Sequence, residues 1–450
     1  MNLGWFLLRG AVVLTIVALL FLSQRFWYRA LWRVTSNWGR VWLRVGLRLG
    51  YISGWVLFIV AATDALRLDH GRILAHRSNI EAFAGLWFAS ALAAYGAVKA
   101  VHAVEWLWHR AVRHHAKPAV GVPAAEHAHL LKDYVPDPSR RTFFRTASVV
   151  AGAAPFLGVM YGFAAERLRY EVRRVEIPIP NLPTQLDGME IVQLSDIHLS
   201  GYMTRESVRR AVDMANDVGA DLAVVTGDLI TGMHDSLEDC VAEVRRLHAP
   251  LGVYGCNGNH EIYARAEDMA QYLFAQAGMK LLRSEAAQLE FKGASFNLIG
   301  VDYQRERTNG GRRVQLLQRV EPLVRRDMTN ILMSHNPNAF NRAAEMGIEL
   351  TLAGHTHGGQ IQVEILDHRL SPARFITDYV AGLYQRPMFA PAPNDRAASP
   401  SAFEKSHGSL FPNRSSALAS IYVNRGLGTV GAPVRLGVPP EITLLTLRRA

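Results

Sequence analysis

An α/β domain preceded by membrane-spanning helices is the architecture that this 450-residue sequence predicts. Three observations carry that expectation. Apolar residues crowd into the first third of the chain. From Glu190 onward the pattern changes to short apolar runs, each closed by a cluster of Asp, His or Asn. Runs of that kind, bounded by Gly and polar residues, read as strands buried on both faces of an α/β sheet.

A spanning helix needs about 20 mostly apolar residues. Trp5 to Leu22, Tyr51 to Leu66 and Phe83 to Val101 each come close to that requirement, and Phe143 to Phe163 is a fourth, interrupted by Pro155. Aromatic and basic flanks, such as Phe26, Trp27, Tyr28, Trp106 and Trp108, resemble interfacial belts. The expected organisation is therefore a membrane region over residues 1–105 with three transmembrane helices and a polar linker over 106–142. A fourth apolar segment over 143–165 and a catalytic domain over 175–450 follow. Basic residues of short loops set orientation. Arg25, Arg29, Arg33, Arg40 and Arg44, with no acidic residue among them, place the first loop in the cytoplasm. Ser139-Arg140-Arg141-Thr142-Phe143-Phe144 before the fourth segment resembles a twin-arginine export signal. The implied location is a bacterial inner membrane, multi-pass, with the catalytic domain on the outer face. Arg167, Arg169, Arg173 and Arg174 after that segment run against an exported flank.

In the catalytic region, the run Met189 to Leu194 ends in Ser195-Asp196-Ile197-His198, and Asp221 to Val225 ends in Thr226-Gly227-Asp228. Val253-Tyr254-Gly255 leads into Asn257-Gly258-Asn259-His260-Glu261. Asn330 to Met333 ends in Ser334-His335, and Glu349 to Leu352 ends in Gly354-His355-Thr356-His357. Every cluster follows the carboxyl end of a strand-like run, the edge where α/β sheets place their chemistry. Carboxylate, imidazole and amide oxygens are donors for hard or borderline divalent metals, and two metals about 3.5–4 Å apart need a bridging carboxylate. Asp196, His198 and His357 suit one metal, Asp228 the bridge, and Asn259, His335 and His355 the second. A single Asp-x-His is common and a lone histidine is usually structural. Five such clusters in order are hard to obtain by accident.

At these residues the chain resembles the calcineurin-like metallophosphoesterase superfamily. Its pattern of Asp-x-His, Gly-Asp, Gly-Asn-His-(Asp/Glu), His and Gly-His-x-His is matched by Asp196/His198, Gly227-Asp228, Gly258-Asn259-His260-Glu261, His335 and Gly354-His355-Thr356-His357. The resemblance implies a two-sheet β-sandwich flanked by helices, two divalent metal ions (Mn, Fe, Zn or similar), and a metal-activated hydroxide attacking phosphorus. It gives His260 the catalytic role of protonating the leaving oxygen or stabilising charge. Tyr422-Val423-Asn424-Arg425-Gly426-Leu427-Gly428, Arg435 and Pro440-Glu441-Ile442 resemble a bacterial membrane-associated branch that includes exported phosphodiesterases and hydrolases of UDP-2,3-diacylglucosamine. A stretch near 386–416, rich in Pro, Ser, Ala and Asn, departs from the family pattern and reads as a flexible insertion.

The net charge of +10 follows in part from arginines that flank the spans. With no nucleic-acid recognition motif in sight, a nucleic-acid partner is not expected. Cys240 and Cys256 are too few for a disulfide framework or a thiolate metal site. The expected partners are the membrane and a phosphorylated small-molecule or lipid substrate carrying a phosphodiester or pyrophosphate. Arg205, Arg209, Arg305, Arg307, Arg312 and Arg313 are candidates to meet it, or simply solvated faces. A broad nucleotide phosphodiesterase or phosphatase and a non-catalytic metal-binding membrane sensor are the competing readings.

Overall fold

A computed structural model of the chain describes residues 3–67, 78–115, 138–304, 307–309, 312–314, 316–317, 319–365, 368–375, 377–388 and 417–450. They fall into two units, one built from the described residues of 1–67 and 79–161, the other from the described residues of 162–450.

The first unit is helical: α1 (Leu3–Thr35), α2 (Val41–Arg67), α3 (Ser78–His115) and most of α4 (Pro138–Ala164). The short break between α1 and α2 falls at Ser36-Asn37-Trp38-Gly39, where small and polar residues favour a turn. Polar side chains inside this unit find partners on neighbouring helices. Ser23 Oγ and Trp27 Nε1 both donate to the Ala91 carbonyl, at 3.0 and 2.8 Å. The Tyr51 hydroxyl bonds the Gln24 side-chain oxygen at 2.6 Å. Large apolar side chains on the same helices point outward, among them Leu14, Trp42 and Val149. The segments expected to span lie within α1 to α4, but the three expected over residues 1–105 are not among the helices that the described residues show to be long and apolar enough. Among the described residues one helix, Ser139–Leu168 with a mean hydropathy of 1.6, is long and apolar enough to cross a membrane. The expected linker is partly helical, since α3 continues through Trp106 to His115. Residues 116–137 lie outside the described residues.

Two six-stranded sheets organise the second unit. The first has the order β1 (Glu171–Ile179), β16 (Glu441–Arg449), β2 (Glu190–Leu194), β3 (Leu222–Val225), β4 (Val253–Gly255), β5 (Lys280–Leu281). The second runs β14 (Gly382–Pro387), β15 (Leu418–Val423), β11 (Leu350–Ala353), β10 (Thr329–Ser334), β7 (Ala294–Val301), β6 (Glu285–Phe291). Two ribbons, β8–β9 (Arg307–Asn309, Arg312–Val314) and β12–β13 (Val363–Ile365, His368–Leu370), complete the strands. Helices α5 (Arg205–Asn216), α6 (Leu237–Val244), α7 (Asn259–Ala264), α8 (Glu267–Gln276) and α9 (Phe340–Glu345) connect them.

Side-chain alternation explains the unbroken apolar runs. In β3, Leu222 and Val224 join the core shared with Phe296, Ile331 and Leu352 of the second sheet. Their neighbours Ala223 and Val225 join the opposite core under α5 and α6. A strand covered on both faces has no place for polar residues until it ends. In α5, Val208, Ala211, Val212 and Ala215 are buried at the 3.6-residue repeat, and Thr204 caps the helix by accepting from the Ser207 amide. β2, β3 and β4 are parallel neighbours, as are β7, β10 and β11. Both sheets therefore present carboxyl-terminal strand ends together. β14 occupies the start of the expected insertion, and residues 389–416 lie outside the described residues.

Candidate metal centre

The polar clusters that close β2, β3, β10 and β11, with the start of α7, converge on one point. Asp196, His198 and His357 have donor atoms within 4.8 Å of one another, and so do Asp228, His335 and His355. A third group, His198, Asp228 and His260, interlocks the first two. His335 Nε2 is 3.0 Å and His198 Nε2 is 3.4 Å from the same oxygen, Asp228 Oδ2. His357 Nε2 lies 3.2 Å from Asp196 Oδ1 and 3.1 Å from His198 Nε2. Residues up to 161 positions apart in sequence are thus gathered around two carboxylates.

The loops achieve this through left-handed backbone. Asp196, His198, Asp228, His355 and His357 all have positive φ, between 49° and 75°. Non-glycine residues there cost about 1–3 kcal/mol each and persist where the surroundings over-determine them. The turns bring the side chains of Asp196 and His198, and of His355 and His357, into one cluster. Glycine is required where backbones close in. A Cβ on Gly258 would overlap the Asp228 carboxylate, and one on Gly354 would overlap Ser195 Oγ and Asp196 Oδ2.

Hydrogen bonds from outside the cluster fix each donor. Ser195 Oγ donates to Asp196 Oδ2 at 2.6 Å, and the His355 amide donates to both Asp196 oxygens. Asp228 Oδ1 accepts from the His260 amide at 2.9 Å. His335 Nδ1 donates to the Thr226 carbonyl at 2.7 Å, which turns its Nε2 toward the carboxylates. His260 Nδ1 likewise donates to the Thr231 carbonyl at 2.6 Å, leaving Nε2 as its other functional atom. The His260 ring stands edge-on to that of His198, 4.7 Å between centroids.

Two buried polar atoms of this cluster have no hydrogen-bond partner, Asn259 Oδ1 and His357 Nδ1. Such atoms are rare in folded proteins unless something else satisfies them. The electrostatics agree. Burial lowers His198 to about 3, and burial with the neighbouring His198 holds His357 well below its ordinary value, so both rings offer lone pairs. Burial raises Asp196 to about 6. For Asp228 and His335 burial opposes ionisation of each, but their mutual attraction overrides it, keeping Asp228 ionised and His335 protonated. That proton supplies positive charge which the two carboxylates otherwise lack, and a divalent ion would displace it. The donor set fits divalent metal ions by chemistry, by orphaned atoms and by charge.

Two supporting residues carry roles that the sequence reading did not give them. The Glu261 carboxylate accepts from the amides of Gly258, Asp228 and Leu229 at 2.7 to 2.9 Å, pinning the β3 loop to the start of α7. Its burial lifts it to about 7. The fully buried Arg435 donates to the carbonyls of Arg425, Gly426, Gly428 and Val438. That bends Arg425 to Gly428 so that the Leu427 and Gly428 amides donate to the Ser195 and Asp196 carbonyls. Tyr303 also stands beside the cluster, its ring 5.3 Å from that of His355. Arg205 and Arg209, candidates to meet substrate, instead clamp Glu243 of α6 at 2.9 and 3.0 Å. Their partner comes from another helix, which no local pattern reveals. The side chains of Arg305, Arg307, Arg312 and Arg313 lie outside the described residues.

Comparison with known proteins places this geometry. The calcineurin-like phosphoesterase family model matches residues 189–359. An uncharacterised metallophosphoesterase of Bacillus subtilis is 28% identical over 69% of this chain and 98% of its own length. A bovine transmembrane protein with a metallophosphoesterase domain is 30% identical over 62% of this chain and 57% of its own length. Its zebrafish namesake is 27% identical over 65% and 60% respectively. This chain therefore spans little more than half the length of the two vertebrate relatives. The family uses divalent metal ions, and the interlocked carboxylates and imidazoles are candidate ligands for them. With the signature residues drawn together between two sheets, residues 189–359 form a calcineurin-like phosphoesterase domain, and the chain is similar to metallophosphoesterases, hydrolases of phosphoric esters.

Proposed function

We propose that the chain is a membrane-anchored phosphoesterase with a dinuclear centre, cleaving a phosphodiester or pyrophosphate bond in a lipid-linked substrate. The observation that carries the dinuclear reading is the sharing of Asp228 between His198 on one side and His335 on the other. Asp196, His198 and His357 would hold one ion, and Asn259, His335 and His355 the second, with Asp228 between them. When bound, the ions supply Lewis-acid stabilisation of a phosphoryl group and an activated water. The chain's own residues do the rest. His260, held through Nδ1 by Thr231, presents Nε2 as the group that protonates a leaving oxygen or balances its charge. Glu261 and Ser195 hold the carboxylates at their separation.

Support for the membrane anchor comes from the apolar helix Ser139–Leu168, from outward-facing Trp and Leu residues on α1 to α4, and from relatives named transmembrane proteins. The arginines expected in a first loop lie instead on the end of α1 (Arg25, Arg29, Arg33), in the turn (Arg40) and at the start of α2 (Arg44); with the Arg140-Arg141 pair they favour a bacterial inner membrane with the catalytic domain outside. Anchoring keeps the centre near amphiphilic substrates, which favours a lipid-linked phosphate over a free nucleotide.

The test uses the full chain in detergent, assayed with an activated aryl phosphodiester, a nucleotide diester and a lipid-linked pyrophosphate, with and without Mn2+. Metal-dependent turnover that disappears in Asp228→Ala and His260→Ala is the expected result. Metal binding by a folded protein that turns over none of these substrates would replace this reading with a sensing role. Faster turnover of nucleotide diesters than of the lipid would replace only the substrate.

A further inference from the structure

A second candidate site lies in the helical unit. Between α1 and α2 is a cleft of about 1100 Å³, lined at one end by Phe21, Ile52 and Trp55 and along its length by Arg25, Arg29 and Arg33. The three arginines recur every four residues, so they form one stripe along α1, about 12 Å long at 1.5 Å per residue. They are exposed, and no acidic residue occurs anywhere before Asp64. Neither α1 nor the facing part of α2 can neutralise them. Ordinary positive-inside charge explains arginines near a span but does not require a cleft.

An independent observation points to a ligand. Gln24 is only 1% exposed and lines the same cleft. Its oxygen accepts from Tyr51, yet its Nε2 has no partner. A buried amide donor left unpaired costs roughly 1–3 kcal/mol, so a site that keeps one invites an acceptor. Beside the cleft, Arg48 stacks over Trp32 at 3.6 Å and donates to the Thr35 hydroxyl at 3.1 Å. The cleft thus combines a cationic stripe, one buried donor and an aromatic end wall.

We propose that this cleft binds one anionic phospholipid, and the proposal rests on the membrane-anchored reading above. The phosphate sits on the Arg25–Arg29–Arg33 stripe, a glycerol ester carbonyl accepts from Gln24 Nε2, and one acyl chain lies toward Phe21 and Trp55. The bilayer supplies the ligand, and the apolar end of the cleft separates it from a free phosphate. None of these residues belongs to the metal cluster, so lipid occupancy and hydrolysis are separate properties.

Native mass spectrometry of the detergent-purified full chain tests this, with phosphatidylglycerol, phosphatidylcholine and inorganic phosphate as probes. One phosphatidylglycerol should be retained per chain. The Arg25→Gln/Arg29→Gln/Arg33→Gln variant should weaken that binding by about tenfold or more, while its aryl phosphodiesterase activity stays unchanged. The lysine counterpart, Arg25→Lys/Arg29→Lys/Arg33→Lys, should largely restore it. Equal retention of phosphatidylcholine by the wild-type chain overturns the proposal without recourse to any variant. So does displacement of the lipid by millimolar inorganic phosphate, which would make the site one for a free anion. A chain that purifies without detergent overturns the membrane reading as well. One that needs detergent but holds no arginine-dependent lipid overturns this proposal alone.

Discussion

The two halves of the donor cluster are built alike but held by different means. Asp196, His198 and His357 all sit in left-handed backbone, and their loop is buttressed by amides from Leu427 and Gly428, more than two hundred positions along the chain. Asp228 and His335 are held by groups at the end of β3 and the start of α7: the Glu261 carboxylate, the His260 amide and the Thr226 carbonyl. One half therefore depends on how the C-terminal segment folds back, and the other on a single buried acid. The difference teaches where each half can be broken alone. Asp228 links them through its carboxylate, and the His355 amide links them through Asp196.

The largest effect is expected where the halves meet. Asp228→Ala removes the oxygen that lies within 3.4 Å of both His198 and His335. Hydrolysis should fall by on the order of 10³-fold, the scale of losing a group that organises transition-state charge. Metal content measured by inductively coupled plasma spectrometry should fall for both equivalents. Retention of one full equivalent would show that the halves are independent after all.

Glu261→Gln separates the halves on the Asp228 side. The replacement turns one acceptor into a donor facing the amides of Asp228, Leu229 and Gly258. Loss of such a supporting contact typically costs about 10–100-fold in metal affinity. The expected result is a shifted Mn2+ activation curve with kcat largely restored at high metal. An unchanged curve with lowered kcat would mean that Glu261 acts on the reaction and not on the loop.

These two residues also show how far the sequence could be read. Asp196, His198, Asp228, Asn259, His335, His355 and His357 were legible because buried parallel strands carry no polar side chains until they end, so the clusters stood out. Glu261 was visible as a motif position, but its reach back to three amides depends on the left-handed turn at Asp228. Arg435 stood out only as part of the C-terminal resemblance, and its role was not legible, since its partners are backbone carbonyls and carry no sequence identity. The β6–β7 hairpin was not anticipated, and neither was the antiparallel pairing of β16 against β2. Strand order is set by long-range packing that no local window contains.

Arg435→Met tests the remote side of the comparison. It leaves the carbonyls of Arg425, Gly426 and Gly428 buried without their donor, at roughly 1–3 kcal/mol for each left unsatisfied. Urea denaturation should show a loss of about 3 kcal/mol, softened by relaxation of the loop. At temperatures where the variant stays folded, one metal equivalent should weaken more than the other. Equal weakening of both would erase the distinction between the halves.

The smallest effect belongs to a residue that serves neither half. Glu243 is almost fully buried between α5 and α6, held by Arg209 and Arg205, whose own side chains are 44% and 50% exposed. Hydrogen bonding to Arg209 outweighs burial, which alone would raise it, and together with Arg205 holds the carboxyl below its ordinary value. A depressed folded pKa means that the stabilisation is present above the unfolded carboxylate value of about 4.3 and fades as pH falls below it. Glu243→Gln should therefore cost about 1 kcal/mol at pH 7, modest because the arginines are solvated. Near pH 3 the cost should shrink. Metal content and turnover at pH 7 should match the wild type in the folded protein. A change in turnover without a change in stability would tie the α5–α6 layer to the metal cluster, and would give the centre a third support beyond the two compared here.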